Sequence, residues 1–252
     1  MNEKYNFANK NFVVVGASSG IGRQCAMDLA DLNANVLAIG RNLERLQALK
    51  QHYPSRIFIA QLDVTTAKAE DWENAFLSFI NSFDRFHGGI YTAGIWGLTP
   101  LNGFDEEFAH KIFDTSFWGA VNFLQMATKK KFTHWMSAFV VMSSFAGNHP
   151  SKGLFAYSAA KAAIQAAVHS FAKEIIKNGH RINSVAPALV QTEMMNNDFA
   201  TMAAEMIPEH LLGICEAEDI SETVLFLLSD HAKKITGQNI SVDGGYLAGA
   251  LI

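Results

Sequence analysis

The stretch Phe12-Val13-Val14-Val15-Gly16-Ala17-Ser18-Ser19-Gly20-Ile21-Gly22, running on into a helical segment to about Leu32, limits this chain to few folds. The apolar run is β-branched and closed by glycine. It reads as a strand buried on both faces, as in a parallel sheet. Strand, glycine-rich turn and helix in that order make the arrangement that holds a dinucleotide. The glycines allow a tight turn and close backbone approach to a pyrophosphate. The helix N-terminus offers free N–H groups and the positive end of its dipole. Ser18 and Ser19 add hydroxyl donors. The spacing is G-x-x-x-G-x-G rather than G-x-G-x-x-G, so the flanking strand and helix carry the reading.

The same alternation continues along the chain. Val36–Ile39, Ile57–Ala60, Gly89–Thr92, Phe139–Met142, Arg181–Val185 and Asn239–Val242 read as further strands. Between them, Asn42–Gln51, Asp71–Ser82, Phe104 to about Lys130, Leu154–Lys177 and Asp219–Leu228 read as helices. Strands alternating with helices predict an α/β fold: a Rossmann-like, doubly wound parallel sheet of about seven strands with helices on both faces. Nothing marks a boundary, so residues 1–252 are expected to form one domain.

At 49% hydrophobic and 17% charged residues, the composition is ordinary for a soluble globular protein. A net charge of -4 argues against a general nucleic-acid binder. Cys25 and Cys215 match no zinc or redox spacing, and the nine histidines show no HExxH pattern, so no metal site is expected. The polar Met1–Lys10 stretch lacks a leader's apolar core, and the apolar run that follows is too short to span a bilayer. A cytoplasmic protein with reduced thiols and no membrane contact is expected.

In parallel sheets ligands bind outside the carboxyl ends of the strands. Gly16, Arg41, Asp63, Gly94, Ser144 and Pro187 all fall there, so the candidates converge on one rim. Arg41 follows Gly40 where a carboxylate would otherwise bind the ribose hydroxyls. A forked, permanent cation there suits a 2′-phosphate, which points to NADP(H) as the preferred cofactor, with NAD(H) as the other option. Tyr157 and Lys161 lie four apart on one helix and share a face. An ammonium beside a phenol favours the phenolate, so Lys161 is expected to lower the Tyr157 pKa and fit it for proton transfer. Such pairs also arise by chance, and the surrounding motifs give this one its weight.

Taken together, these motifs resemble the short-chain dehydrogenase/reductase family nearly end to end. Gly16–Gly22 matches its glycine motif. Leu62-Asp63-Val64 matches the segment that holds adenine. Tyr91-Thr92-Ala93-Gly94 stands where Asn-Asn-Ala-Gly is typical. Ser144, Tyr157 and Lys161 match the catalytic triad, and Thr236-Gly237-Gln238 and Asp243-Gly244-Gly245 match the C-terminal signature. The resemblance implies that Tyr157 is the general acid or base and that Lys161 tunes it and holds the nicotinamide ribose. It also implies that Ser144 donates to the substrate oxygen. Gly16, Ser18, Ser19, Gly20, Ile21, Gly22, Arg41, Asp63, Val64, Ala93, Gly94, Pro187, Val190 and Thr192 would contact the cofactor, with Tyr157 and Lys161. The family's fourth catalytic residue, an asparagine that helps hold a water beside the lysine, is Ser116 here.

The implied reaction is hydride transfer between NADP(H) and a carbonyl or secondary alcohol, a 3-oxoacyl thioester being one candidate. A cofactor-binding sensor or scaffold with little catalysis is the alternative. Trp96, Phe145, His149, Phe155, Met194 and Met195 are candidates to line a substrate pocket. The resemblance, with the many aromatics of Phe104–Phe132 and the apolar Tyr246–Ile252, implies a homotetramer or homodimer.

Overall fold

In the computed structural model, which describes residues 5–193, 204 and 206–249, every position of β1 (Asn11–Val15) is buried. Its side chains alternate between two cores. Phe12 and Val14 face one, Val13 and Val15 the other, as a strand covered on both faces requires. The remaining strands are β2 (Asn35–Gly40), β3 (Ile57–Gln61), β4 (Phe86–Tyr91), β5 (Thr133–Met142), β6 (Arg181–Pro187) and β7 (Asn239–Val242). They form one parallel sheet in the order β3-β2-β1-β4-β5-β6-β7. The order reverses direction between β1 and β4, and a crevice at such a switch point is where ligands bind.

One face is covered by α1 (Gly20–Asp31), α2 (Leu43–His52) and α7 (Ala217–Leu228). Cys25, Leu29, Leu46, Val224 and Leu228 fill it. The other face is covered by α3 (Ala69–Ile80), α5 (Gly119–Ala127) and α6 (Phe155–Ile175). Its core is aromatic: Trp72, Phe76, Phe79, Phe86, Phe123, Phe132 and Phe139 pack mostly edge to face, with Phe76 and Phe86 centroids 5.2 Å apart. A short α8 (Tyr246–Gly249) ends the described chain.

The doubly wound sheet is as expected, and the differences lie at element ends. β4 starts at Phe86 and stops at Tyr91, so Thr92 lies just beyond it. β5 starts at Thr133, with an irregular register opposite Phe86–Gly88. The added residues mix buried Phe86 with His87, Gly88, exposed Trp135 and Met136 and polar Thr133 and Ser137, so no regular apolar pattern marks them as strand. The Asp71 carboxylate accepts from the Lys68 backbone N–H at 2.8 Å and starts α3 two residues early. The long helical stretch is α4 (Glu106–Phe113), a π-helical turn (Asp114–Trp118) and α5 in continuity.

The Arg-Ile-Asn segment of β6 is structural. Arg181 donates to the Leu227 and Ser229 carbonyls at 2.8 and 3.0 Å, and Asn183 donates to Ile235 O at 3.0 Å. Together they join the sheet to the end of α7. No described helix is long and apolar enough to cross a membrane. Among the described residues no cluster of three or more His, Cys, Asp or Glu side chains suits a metal ion.

Candidate active site

A cleft opens at the carboxyl ends of β1, β2, β4, β5 and β6. Its cofactor half is built from turns that exclude side chains. Gly16 has φ +90°, and a Cβ there would lie 2.5 Å from Thr92 Oγ1 and 2.7 Å from Ala93 N. The first turn therefore nests against the end of β4, with Thr92 Oγ1 donating to Val15 O at 2.9 Å. Ser19 caps α1 in extended conformation without a side-chain bond to the helix, so its own hydroxyl does not occupy the first N–H groups of α1. Gly20 N–H donates to the Glu193 carboxylate at 3.1 Å. An anion thus already sits on this helix end, which shows that the turn attracts negative charge as a pyrophosphate would require.

Arg41 follows β2 at the cleft edge. Its guanidinium lies 3.9 Å from the Asp63 carboxylate, and both side chains are substantially exposed. Burial pushes the Asp63 pKa up, but bonds from Thr65 N–H and hydroxyl, at 3.0 and 2.7 Å, outweigh it. With Arg41 and Lys111 adding to that effect, the carboxyl is held below its ordinary value. A Cβ at Gly40 would stand 3.2 Å from Ser18 Oγ, so an acidic side chain at that position would press on the phosphate-side turn.

The other half of the cleft is lined from the ends of β5 and β6 and from the first turns of α6. Ser144, Tyr157 and Lys161 all line it. Ser144 Oγ accepts from Ala146 N–H at 3.2 Å, and the Ser144 carbonyl accepts from Gln165 at 3.0 Å. The buried Lys161 ammonium donates to Met142 O at 2.9 Å and stands 5.7 Å from the Tyr157 ring centroid. Burial lowers the Lys161 pKa to about 8. Burial raises that of Tyr157, with the neighbouring Ser144 hydroxyl acting the other way. The net direction is opposite to the one expected from Lys161 alone, because desolvation of the phenolate outweighs the attraction of the ammonium.

Of the expected cofactor contacts, Gly16, Ser18, Ser19, Gly20, Ile21, Gly22, Arg41, Val64, Ala93, Gly94, Pro187, Val190 and Thr192 line the cleft. Asp63 stands beside it, turned to Thr65 and Arg41. Ser116 is buried behind it, on the π-helical turn, and its hydroxyl has no hydrogen-bond partner among the described residues. A Cβ at Gly94 would lie 3.4 Å from Lys161 Nζ and 3.5 Å from Ser116 Oγ, so both atoms border the space that this glycine leaves open. Side chains kept out of the turns, an anion-seeking helix end and an unpartnered buried hydroxyl together fit a bound dinucleotide.

Trp96 and Phe145 line the cleft as expected, joined by Leu154, Leu189 and Met206. His149 and Phe155 do not line it, and Phe155 packs on Phe104 instead, 5.1 Å between centroids. Met194 and Met195 lie outside the described residues. Glu193 and Met206 also line the cleft and fall within the stretch 193–212 expected to wall the pocket, although the sequence does not single out either residue.

A family model described as Enoyl-(Acyl carrier protein) reductase matches residues 16–247. The chain is 29% identical over 242 residues to the 3-oxoacyl-(acyl-carrier-protein) reductase FabG of Staphylococcus epidermidis, covering 94% of this chain and 98% of that protein. It is 28% identical over 252 residues to the L-xylulose reductase of Caenorhabditis elegans, covering 98% and 99%. A solved short-chain type dehydrogenase/reductase from Mycobacterium ulcerans superposes with a TM-score of 0.86 at 27% identity, covering 96% of this chain and 91% of that one.

Proposed function

Because the chain belongs to the short-chain dehydrogenase/reductase family of oxidoreductases, we propose that its cleft interconverts a carbonyl and a secondary alcohol with NADP(H) as preferred cofactor. The observation that carries this is the meeting of Ser144, Tyr157 and Lys161 in the same cleft as the glycine turn and Arg41.

When bound, the nicotinamide supplies or accepts the hydride. Tyr157 keeps its proton in the cleft, since burial raises its pKa. It is therefore poised as the acid that protonates a carbonyl oxygen as negative charge develops there. The Ser144 hydroxyl donates to the same oxygen and stabilises that charge. Lys161, charged at neutral pH with a pKa near 8, sits behind the phenol and favours its ionised form once the proton has left. In the reverse direction Tyr157 Oη takes the alcohol proton.

Trp96, Phe145, Leu154, Leu189 and Met206 give the substrate half apolar walls. These walls suit a carbonyl carried on an apolar chain, and a 3-oxoacyl thioester is the first substrate to offer. We place the protein in the cytoplasm and expect a homotetramer or homodimer. Trp118 supports the assembly: it is 54% exposed at the junction of α4 and α5, paired edge to face with Phe117, and apolar surface of that kind favours association.

Tyr157→Phe tests the reading. The variant should bind NADPH as the native protein does and lose turnover by a factor of about a hundred or more. Full hydride transfer by this variant would overturn the assignment.

A further inference from the structure

We propose that Tyr91 is a positioning residue: its hydroxyl holds the Thr115 carbonyl and so sets the π-helical turn that presents Ser116 to the Lys161 side of the cleft. The inference rests on the catalytic reading above.

The turn interrupts a helix that would otherwise run straight from α4 into α5. Gly119 N–H reaches back five residues to Asp114 O rather than four. A π-turn spoils the regular carbonyl pairing around it and needs outside support to persist. Tyr91, at the end of β4, supplies it. Its hydroxyl donates to Thr115 O at 2.5 Å, and both residues are buried. A bond between two buried groups is costly to lose. Gly119 completes the fit, because a Cβ there would collide with the Tyr91 hydroxyl. Strand, turn and following helix are thus matched through one phenol.

The next residue after that anchored carbonyl is Ser116. Its hydroxyl is buried, without a partner among the described residues, and borders the space beside Gly94 that the Lys161 ammonium also borders. Such a polar space suits a water bonded to both groups. Serine is a short side chain. Its reach to that space therefore depends on where the turn places its Cα, and Tyr91 determines that placement.

Three variants of the full-length protein test this: Tyr91→Phe, Ser116→Ala and the double variant. Phenylalanine preserves the ring packed 5.9 Å from Phe123 and removes only the hydroxyl. The expected result is that Tyr91→Phe lowers kcat about three- to tenfold, the effect of one buried hydrogen bond, and moves the pH profile of kcat. The Kd for NADPH should be unchanged. The double variant should be no slower than Ser116→Ala, because both changes interrupt one device. If Tyr91→Phe only lowers the melting temperature, with kcat and pH profile unaltered, or if the two losses multiply, the proposal is wrong. Hydrogen exchange of the amides of residues 113–119 gives an independent reading. Faster exchange in Tyr91→Phe supports the anchor even if no substrate is turned over, and unchanged exchange refutes it. Should Tyr91→Phe fail to fold, Gly119→Ala must displace the same hydroxyl and give the same loss of kcat.

Discussion

Replacing Arg41 with alanine should weaken NADPH binding and leave NADH binding nearly unchanged. The guanidinium stands at the end of β2, 52% exposed, with the Asp63 carboxylate 3.9 Å away. A charge-assisted bond to a phosphate contributes about 1.5–3 kcal/mol. To make it, Arg41 gives up Asp63, and an exposed pair is worth only about 0.2–1 kcal/mol. The difference, about 1–2 kcal/mol, corresponds to roughly five- to thirtyfold in affinity. No carboxylate at residue 40 opposes the phosphate, and the tight approach of Ser18 to Gly40 leaves little room for one.

The assay is the dissociation constant of each cofactor, measured by fluorescence titration at one ionic strength, because exposed charges are screened by salt. The native protein should favour NADPH by that factor, and Arg41→Ala should bring the ratio close to one. Asp63→Asn gives a second comparison. It frees Arg41 from its partner and should raise the ratio by up to about fivefold, the worth of that pair. The ratio cancels whatever Asp63 contributes to both cofactors alike. Equal affinity of the native protein for NADH and NADPH, or an Arg41→Ala variant with an unaltered ratio, would refute this reasoning.

Two further outcomes follow from the charges in the cleft. Glu193→Gln removes a negative charge from the α1 N-terminus while keeping an acceptor for Gly20 N–H, so cofactor affinity should rise about two- to fivefold; isothermal titration showing weaker binding would contradict the placement of Glu193 as a competitor for the pyrophosphate. The Lys161 pKa falls from 10.5 to about 8 on folding, so between these values the unfolded chain carries a proton that the folded one has released. Its contribution to stability is therefore full above 10.5 and lost as pH falls through 8, a change of about 3 kcal/mol across the window. Urea unfolding of the cofactor-free protein should show native stability gaining on that of Lys161→Met from pH 8 to 10, and parallel curves would contradict it.

Most of the fold could be read from runs that obey one rule at a time. Val13–Val15 and Val36–Ile39 are apolar on both faces because helices cover both, and no loop chemistry disguises them. Legibility fails where pairing rather than burial makes the strand. Phe86 pairs with Thr133 and Gly88 with Ala138 across an irregular register, so the starts of β4 and β5 depend on each other and not on a local pattern. The C-terminal Asp-Gly-Gly shows the opposite case. Asp243 accepts from Gly245 N–H at 3.1 Å and Leu247 N–H at 3.3 Å, a local device that caps α8 and is fully written in adjacent residues.

The site divides along the same line. Tyr157 and Lys161 were legible because a helix fixes residues four apart on one face, and Ser144 because strand ends share a rim. Their electrostatics were not. Sequence proximity suggests that the ammonium acts on the phenol, yet the sign of the Tyr157 shift depends on how dry the cleft is and on where Nζ finds its acceptor. Both are tertiary facts: Met142 O comes from β5, and the walls come from α6 and the segment after β6. Ser116 sits between these cases. The family resemblance located it at the asparagine position, but only the π-turn places its hydroxyl beside the Gly94 space. That turn depends on Tyr91, 24 residues away in the chain, and on the absence of a side chain at Gly119. A position that looks like a lost asparagine in the sequence is, in the folded chain, a serine held in place by an added phenol.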